Sequence, residues 1–289
     1  MKNNIKQERA ASLMTIELFQ STFLNFNGFI VSDGSSAILV DPGFYPYEIE
    51  RMRSYLTENK LTADYIFLTH GHGDHIQGWN QFPGARVVAS IQIAQKPPEK
   101  QDGILRYIEQ TDAKLQIERN EKFQYPKVDL AIPFVQTIQD FTLGHFHCSV
   151  FHIVGHTNDL IAIYFEDFET LFIGDMMIKG VLPYVGYRSE EYLRSLEFIN
   201  AFVKQHPVKT IWSGHNAPIQ SPTELEERIE SDRSYLNSLR LKIMKKIQSG
   251  WDTGQIIEYV VHDGYSWNIP TLHRMNVKKI VGEMSPSKF

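Results

Sequence analysis

Cysteine is nearly missing from this chain: Cys148 stands alone among 289 residues. No disulfide can form within the chain, and such usage suits a reducing compartment. Long apolar runs are missing too, since none approaches the roughly 18 residues that a membrane span needs. Nor is there an excess of positive charge. Lys and Arg number 29 against 34 Asp and Glu, a formal net charge of −5. That balance provides no broad attraction to nucleic acid, although Lys242, Lys245 and Lys246 cluster locally. The opening Met1-Lys2-Asn3-Asn4-Ile5-Lys6 has neither the apolar stretch nor the small-residue cleavage site of a secretory leader, so a cytoplasmic protein is the expectation. Repeats and low-complexity segments are absent. What is present is 42% hydrophobic and 12% aromatic residues, ample for one large α/β domain or a domain with an appendage.

The most informative stretch is His70-Gly71-His72-Gly73-Asp74-His75, directly after the apolar run Tyr65-Ile66-Phe67-Leu68-Thr69. A β-branched and aromatic run followed by glycines reads as a strand ending in a tight loop. Glycines lacking Cβ let such a loop turn alternate side chains toward one point. Imidazole nitrogen and carboxylate oxygen are the donors that borderline divalent metals prefer. Three further positions follow the same pattern of apolar run, glycine and candidate ligand: Gly155-His156, Gly174-Asp175 and Gly214-His215. Four strand ends thus deliver His70, His72, Asp74, His75, His156, Asp175 and His215. Seven donors suit two ions that share a carboxylate, with water in the remaining position.

The series His-x-His-x-Asp-His, followed in order by His, Asp and His, resembles the metallo-β-lactamase-fold hydrolases, close to their glyoxalase II-like and lactonase-like branches. Leu39-Val40-Asp41-Pro42-Gly43 resembles that family's first motif, an Asp supporting the metal loop from behind. The resemblance covers roughly residues 13 to 220. It implies a four-layer αβ/βα sandwich of two mixed β-sheets. It also implies one ion held by His70, His72 and His156, a second by Asp74, His75 and His215, and Asp175 bridging both. Zinc is the first expectation, with iron or manganese as alternatives. Such ions bring the pKa of water toward roughly 7, so that hydroxide is available for hydrolysis at neutral pH. Asp74 would orient that nucleophile or take its proton. An ester, thioester or lactone of a small molecule is the expected substrate. The competing readings are a mononuclear iron oxygenase of the persulfide dioxygenase type and a nuclease of the same fold.

Departures from the family's patterns narrow the substrate. β-Lactamases of the fold often carry Cys or Ser where Asp175 stands. Glyoxalase II enzymes have Cys-Gly-His-Glu-Tyr at the last histidine, against Ser213-Gly214-His215-Asn216-Ala217 here. Acyl-homoserine lactonases place a Tyr three residues after the bridging Asp, where this chain has Ile178. Tyr184, Tyr187 and Arg188 follow as candidate substrate contacts.

Elsewhere the chain alternates short strands and helices. Strands are expected at 13–19, 23–32, 36–40, 64–69, 86–89, 128–135, 137–143, 148–154, 160–165, 170–174 and 209–213. Helices are expected from Tyr47 to Asn59 and from Ser189 to Gln205, with Asp74 capping a short helix to about Gln81. Residues 96–125 read as a polar, partly helical insertion over one end of a sheet. A catalytic domain at 1–220 precedes a helical extension at 221–289. That extension opens at Ser221-Pro222-Thr223-Glu224, runs to Gly250, and continues with helices at 253–261 and 270–283. In relatives similar tails cover the cleft or join dimer contacts, so a homodimer is an expectation by resemblance. His145 and His147 fall on one face if a strand spans them, and His152 is nearby. Without a carboxylate or glycine loop they read as surface-strand residues. His206, His262 and His273 are expected to be structural.

Overall fold

The computed structural model describes residues 14–135, 137–262 and 270–285. The start of the chain, where no secretory leader is expected, lies outside the described residues, and so does the His262 side chain. Among the described residues eleven strands form two sheets. The first comprises β1 (Thr15–Gln20), β2 (Asn27–Ser32), β3 (Ser36–Val40), β4 (Thr62–Phe67), β5 (Arg86–Ser90) and β6 (Leu130–Ile132), side by side in chain order. β1, β2 and β3 pair antiparallel, and β3 to β6 pair parallel. The second sheet holds β7 (Gln139–Leu143), β8 (Phe146–His152), β9 (Ile161–Phe165), β10 (Thr170–Phe172) and β11 (Thr210–Trp212), with only the β10–β11 pair parallel. The parallel pairs need crossovers, and helices provide them.

Among the described residues eight helices accompany the sheets. They are α1 (Pro46–Glu58), α2 (Gly73–Ile76), α3 (Ile91–Ala94), α4 (Pro98–Leu115), α5 (Ser189–Gln205), α6 (Pro222–Gln248), α7 (Thr253–His262) and α8 (Pro270–Met284). Strand side chains alternate between two apolar layers, as a period of two requires. Phe29, Val31, Ile38, Val40 and Phe67 meet Phe146, Val150, Ile161, Ile163 and Phe172 between the sheets. Ile30, Leu39 and Ile66 face outward onto Ile49, Met52 and Leu56 of α1. On the far side Ala162, Tyr164, Leu171 and Ile211 pack against Tyr192, Leu196 and Ile199 of α5. The order is helix, sheet, sheet, helix, as the resemblance implied. Each fully buried aliphatic or aromatic side chain contributes roughly 1.5–3 kcal/mol over its exposed state.

The helices after residue 221 join that last layer. Leu225, Ile229, Leu236, Leu239 and Ile243 of α6, Ile256 and Val260 of α7, and Val277, Ile280 and Val281 of α8 share one apolar cluster with α5 and the second sheet. Ser221 caps α6 by accepting from Glu224 N at 3.2 Å. Among the described residues no helix is long and apolar enough to cross a membrane.

Several expectations need correction. Asp74 lies in the first turn of α2, whose N-cap is His72, and α2 stops at Ile76 before a separate 3₁₀ turn at Trp79–Gln81. Residues 23–25 precede β2 as a bend and turn, with Leu24 and Asn25 at φ of 52° and 49°, and Phe26 bridges to His215. The insertion at 96–125 is partly helical as expected, through the 18-residue α4. His145 sits in the β7–β8 turn while His147 is exposed on β8, so strand alternation does not pair them. His152 instead lies against Pro133 O at 3.1 Å.

Candidate metal centre

Asp41 and the seven candidate ligands emerge where strands end: Asp41 after β3, His70 to His75 after β4, His156 after β8, Asp175 after β10, and His215 after β11. Close backbone packing brings the last of these loops together. Gly214 N donates to Gly174 O at 2.7 Å, and a Cβ on Gly214 would lie 2.3 Å from Asp175 Oδ1 and 2.5 Å from His75 Cε1. Only glycine leaves room there for the carboxylate. Gly155 adopts φ of +140°, and a Cβ on it would stand 2.4 Å from Tyr192 Cα. The glycine before each ligand therefore has a steric cause at these two positions.

The seven side chains converge as two groups. His70 Nε2 and His156 Nε2 each lie 3.0 Å from His72 Nδ1, and Asp175 Oδ2 is 3.9 Å and 3.5 Å from His70 and His156. Asp175 Oδ1 points the other way, 3.2 Å from His75 Nε2 and 3.5 Å from His215 Nε2. Asp74 Oδ2 completes the second group, 3.4 Å from His215 Nε2 and 4.0 Å from His75 Nε2. Ligands about 2.0–2.1 Å from a tetrahedral ion stand roughly 3.3 Å apart, so both groups match the spacing that one ion each requires. Two buried atoms aimed into the second group, His75 Nε2 and Asp175 Oδ1, face each other at 3.2 Å without a well-aligned hydrogen bond. A buried polar atom without a partner is costly, and a cation between these groups would satisfy both.

Anchors behind the rings select which nitrogen faces inward. Asp41 Oδ2 lies 2.7 Å from His75 Nδ1, Leu24 O lies 3.0 Å from His215 Nδ1, and Thr69 Oγ1 lies 3.1 Å from His70 Nδ1. Asp41 also accepts from Thr69 N at 2.8 Å and Thr69 Oγ1 at 2.6 Å, which fastens the loop at its start. This is the supporting role expected of Asp41.

The charges differ between the groups. Burial pulls His156 down to about 3 and His70 well below the ordinary imidazole value. Burial also lowers His75 and His215, but the surrounding carboxylates outweigh it. Asp175, Asp41 and Asp74 hold His75 well above its ordinary value, while Asp175 and Asp74 take His215 up to about 10. Burial raises Asp74, yet His75 and His215 bring it down to about 2. The first group is thus a set of neutral imidazoles beside one carboxylate, whereas the second is an ion-paired cluster.

Both groups open on a cleft of about 920 Å³. Asp74 is the more exposed carboxylate, 20% against 9% for Asp175. Tyr184 reaches the cleft with its ring 5.3 Å from that of His156, and Tyr187 lines it as well, while Arg188 does not. Five contributors went unseen in the sequence. Asp159 is buried, takes a 2.7 Å contact from Lys96 Nζ, and accepts from Gly71 N at 3.4 Å. Ile104 and Tyr107 of α4 line the cleft, within the segment read as polar. Asn276 of α8 accepts from Val185 N at 2.9 Å and donates to Pro183 O at 2.7 Å, holding both neighbours of Tyr184. Asp159 lies three residues beyond His156, the one local hint; Lys96 and Asn276 carry none.

The model of the metallo-beta-lactamase superfamily matches residues 22–230. Hydroxyacylglutathione hydrolase 1 of Vibrio vulnificus is 26% identical over 176 residues, 60% of this chain and 56% of that protein. The beta-lactamase-like protein 2 homolog of Drosophila melanogaster is 28% identical over 203 residues, 70% of this chain and 62% of that protein. The chain therefore spans between half and two thirds of the length of these relatives. A metallo-beta-lactamase family protein from Thermus thermophilus superposes with a TM-score of 0.61 at 19% identity, over 92% of this chain and 90% of that one.

Proposed function

The chain belongs to the metallo-beta-lactamase superfamily, and from that premise we propose that it is a hydrolase of small-molecule esters, thioesters or lactones that depends on two divalent ions, zinc first. His70, His72 and His156 would hold one ion and Asp74, His75 and His215 the other, with Asp175 placed between the two sets. The observation that carries this reading is Asp175 itself, whose two oxygens each face a different set of donors. Bound there, the ions supply Lewis acidity to a substrate carbonyl and lower the pKa of water.

The chain's own residues do the rest. Asp74, with a pKa near 2, is a carboxylate at neutral pH and faces the cleft, so it accepts and orients the proton of an attacking water. Asp41 keeps His75 Nδ1 engaged and Nε2 pointed inward. Tyr184, its phenol raised by burial, stays protonated as a hydrogen-bond donor beside the scissile group. No serine or cysteine nucleophile is needed: Cys148 is buried between the sheets with its thiol pushed up to about 12. Nucleic acid is not the expected substrate, because Lys242, Lys245 and Lys246 do not line the cleft.

Metal analysis joined to a substrate screen tests the reading. Protein purified without chelator is expected to carry close to two ions per chain and to turn over at least one ester, thioester or lactone. Less than one ion after supplementation with zinc, manganese or iron, or activity limited to oxygen-dependent persulfide oxidation, overturns it.

A further inference from the structure

The cleft beside the candidate ions is chemically two-sided. The charged side chains that line it, among the described residues, are Asp74, Lys96, Asp159 and Asp175 around the metal centre and Lys100 on α4. The other side is apolar. Helix α4 presents Lys100, Gly103, Ile104 and Tyr107 to the cleft, the i, i+3, i+4, i+7 stripe of one helical face. Along that stripe a cation gives way to apolar side chains. Helix α8 contributes Leu272 and Met275, and the loop after β10 contributes Leu182. Tyr107 is 60% and Met275 44% exposed. Large apolar side chains exposed beside a cavity of this size mark a ligand surface.

These apolar parts are held in register. Asn276, one turn from Leu272 on α8, is fully buried, and its amide clasps Pro183 and Val185 of the loop that carries Leu182 and Tyr184. Helix α4 abuts the metal loop, since a Cβ on Gly73 would lie 2.9 Å from Ile108 Cγ1. The apolar side is therefore anchored through α4 to the metal loop and through Asn276 to the loop that carries Tyr184.

We propose that this apolar lobe, formed by Ile104 and Tyr107 of α4, Leu272 and Met275 of α8, and Leu182, seats a hydrocarbon arm of several carbons on the substrate, so that the C-terminal helix selects the substrate. The assignment rests on the hydrolase reading for its chemistry but not for its binding surface. A charged arm would find on this lobe only Lys100 at one end of the α4 stripe, whereas a chain of methylenes gains from leaving water.

Straight-chain fatty acids from butanoate to decanoate, titrated into the metal-loaded protein by calorimetry, test binding without turnover. Nitrophenyl esters of the same chain lengths test selectivity. Affinity and kcat/KM are expected to rise by about two- to fourfold per methylene. Tyr107→Ser and Met275→Ser are expected to cut the decanoyl-to-butanoyl ratio at least tenfold, with melting temperature and metal content unchanged. Leu241→Ser, at an exposed α6 residue outside the cleft, should leave that ratio as it is. A flat chain-length profile, or a ratio that survives both cleft variants, overturns the lobe while leaving the hydrolase reading intact. Length-dependent fatty-acid binding without turnover of any ester supports the lobe and counts against the hydrolase.

Discussion

Asp41 Oδ2 stands 2.7 Å from His75 Nδ1, and the same oxygen accepts from Thr69 Oγ1 at 2.6 Å. One carboxylate thereby fixes both the tautomer of a candidate ligand and the start of the loop that carries four of the seven. Partners of this kind set ring orientation and the basicity of the inward nitrogen.

Asp41→Asn is expected to reverse the His75 tautomer. Thr69 N–H claims the amide oxygen, so the amide NH₂ faces His75 Nδ1 and that nitrogen must accept. The imidazole proton then moves to Nε2, the atom facing Asp175 Oδ1 at 3.2 Å. Asn tolerates the left-handed backbone at this position, φ 46°, so the fold should persist. Affinity for the second ion should fall about 10- to 100-fold with the first little changed, as read by competition with a chromophoric chelator. Equal loss at both positions would sink the argument.

Much of the site was legible because its chemistry is local. Six residues, 70 to 75, hold four donors, and His156, Asp175 and His215 each follow a glycine at a strand end. The four layers were legible from the family resemblance, and their alternation from residues such as Phe29, Ile30 and Val31. What the sequence hid depends on distant partners. Lys96 meets Asp159 across 63 positions, and Asn276 reaches Val185 across 91. Polarity misled at 96–125, where α4 exposes charge on most of its surface and turns one narrow apolar stripe to the cleft. Asp74 was misread as a cap because a loop histidine, His72, occupies that position.

The uneven charge of the two groups predicts uneven proton release. In the metal-free protein at pH 7, His75 and His215 carry protons, since their values are raised, the latter to about 10. His70 and His156 are neutral, since theirs are lowered. An ion entering the second group must displace close to two protons, while one entering the first displaces almost none. The sign for stability follows. Raised histidines stabilise the metal-free fold below their unfolded value of roughly 6.5, and that contribution is lost as pH climbs toward about 10. Calorimetric titrations in buffers of different ionisation enthalpy count the protons. Equal release in both steps would contradict the assignment.

Removing the Asn276 amide should separate positioning from chemistry. Asn276→Ala leaves Val185 N–H and Pro183 O without their partner in a buried setting, a loss of roughly 2–4 kcal/mol. The loop bearing Tyr184 loosens, so KM should rise several-fold more than kcat falls, with metal content unchanged. Asn276→Asp keeps the acceptor for Val185 but not the donor for Pro183, and should fall between. A kcat loss with unchanged KM would instead place Asn276 in the chemical step.

Asp74 is the most demanding test, because it is assigned both a ligand's and a proton acceptor's part. Asp74→Asn keeps the shape and one oxygen donor but removes the charge that His75 and His215 stabilise, the same charge that holds its pKa near 2. Turnover of the best ester from the screen should fall at least about 100-fold, the scale for losing a general base or the group that positions the nucleophile. The first ion, held by His70, His72 and His156, should remain bound. His215 loses one of its two carboxylate neighbours and keeps Asp175 at 3.5 Å, so its pKa should drop, and the metal-free variant should release its His215 proton at lower pH, as an NMR titration would show. Full turnover in the variant would remove Asp74 from the chemistry and leave it only a ligand. A fall in activity with an unmoved His215 titration would break the link between its charge and its neighbours on which the electrostatic account of this site depends.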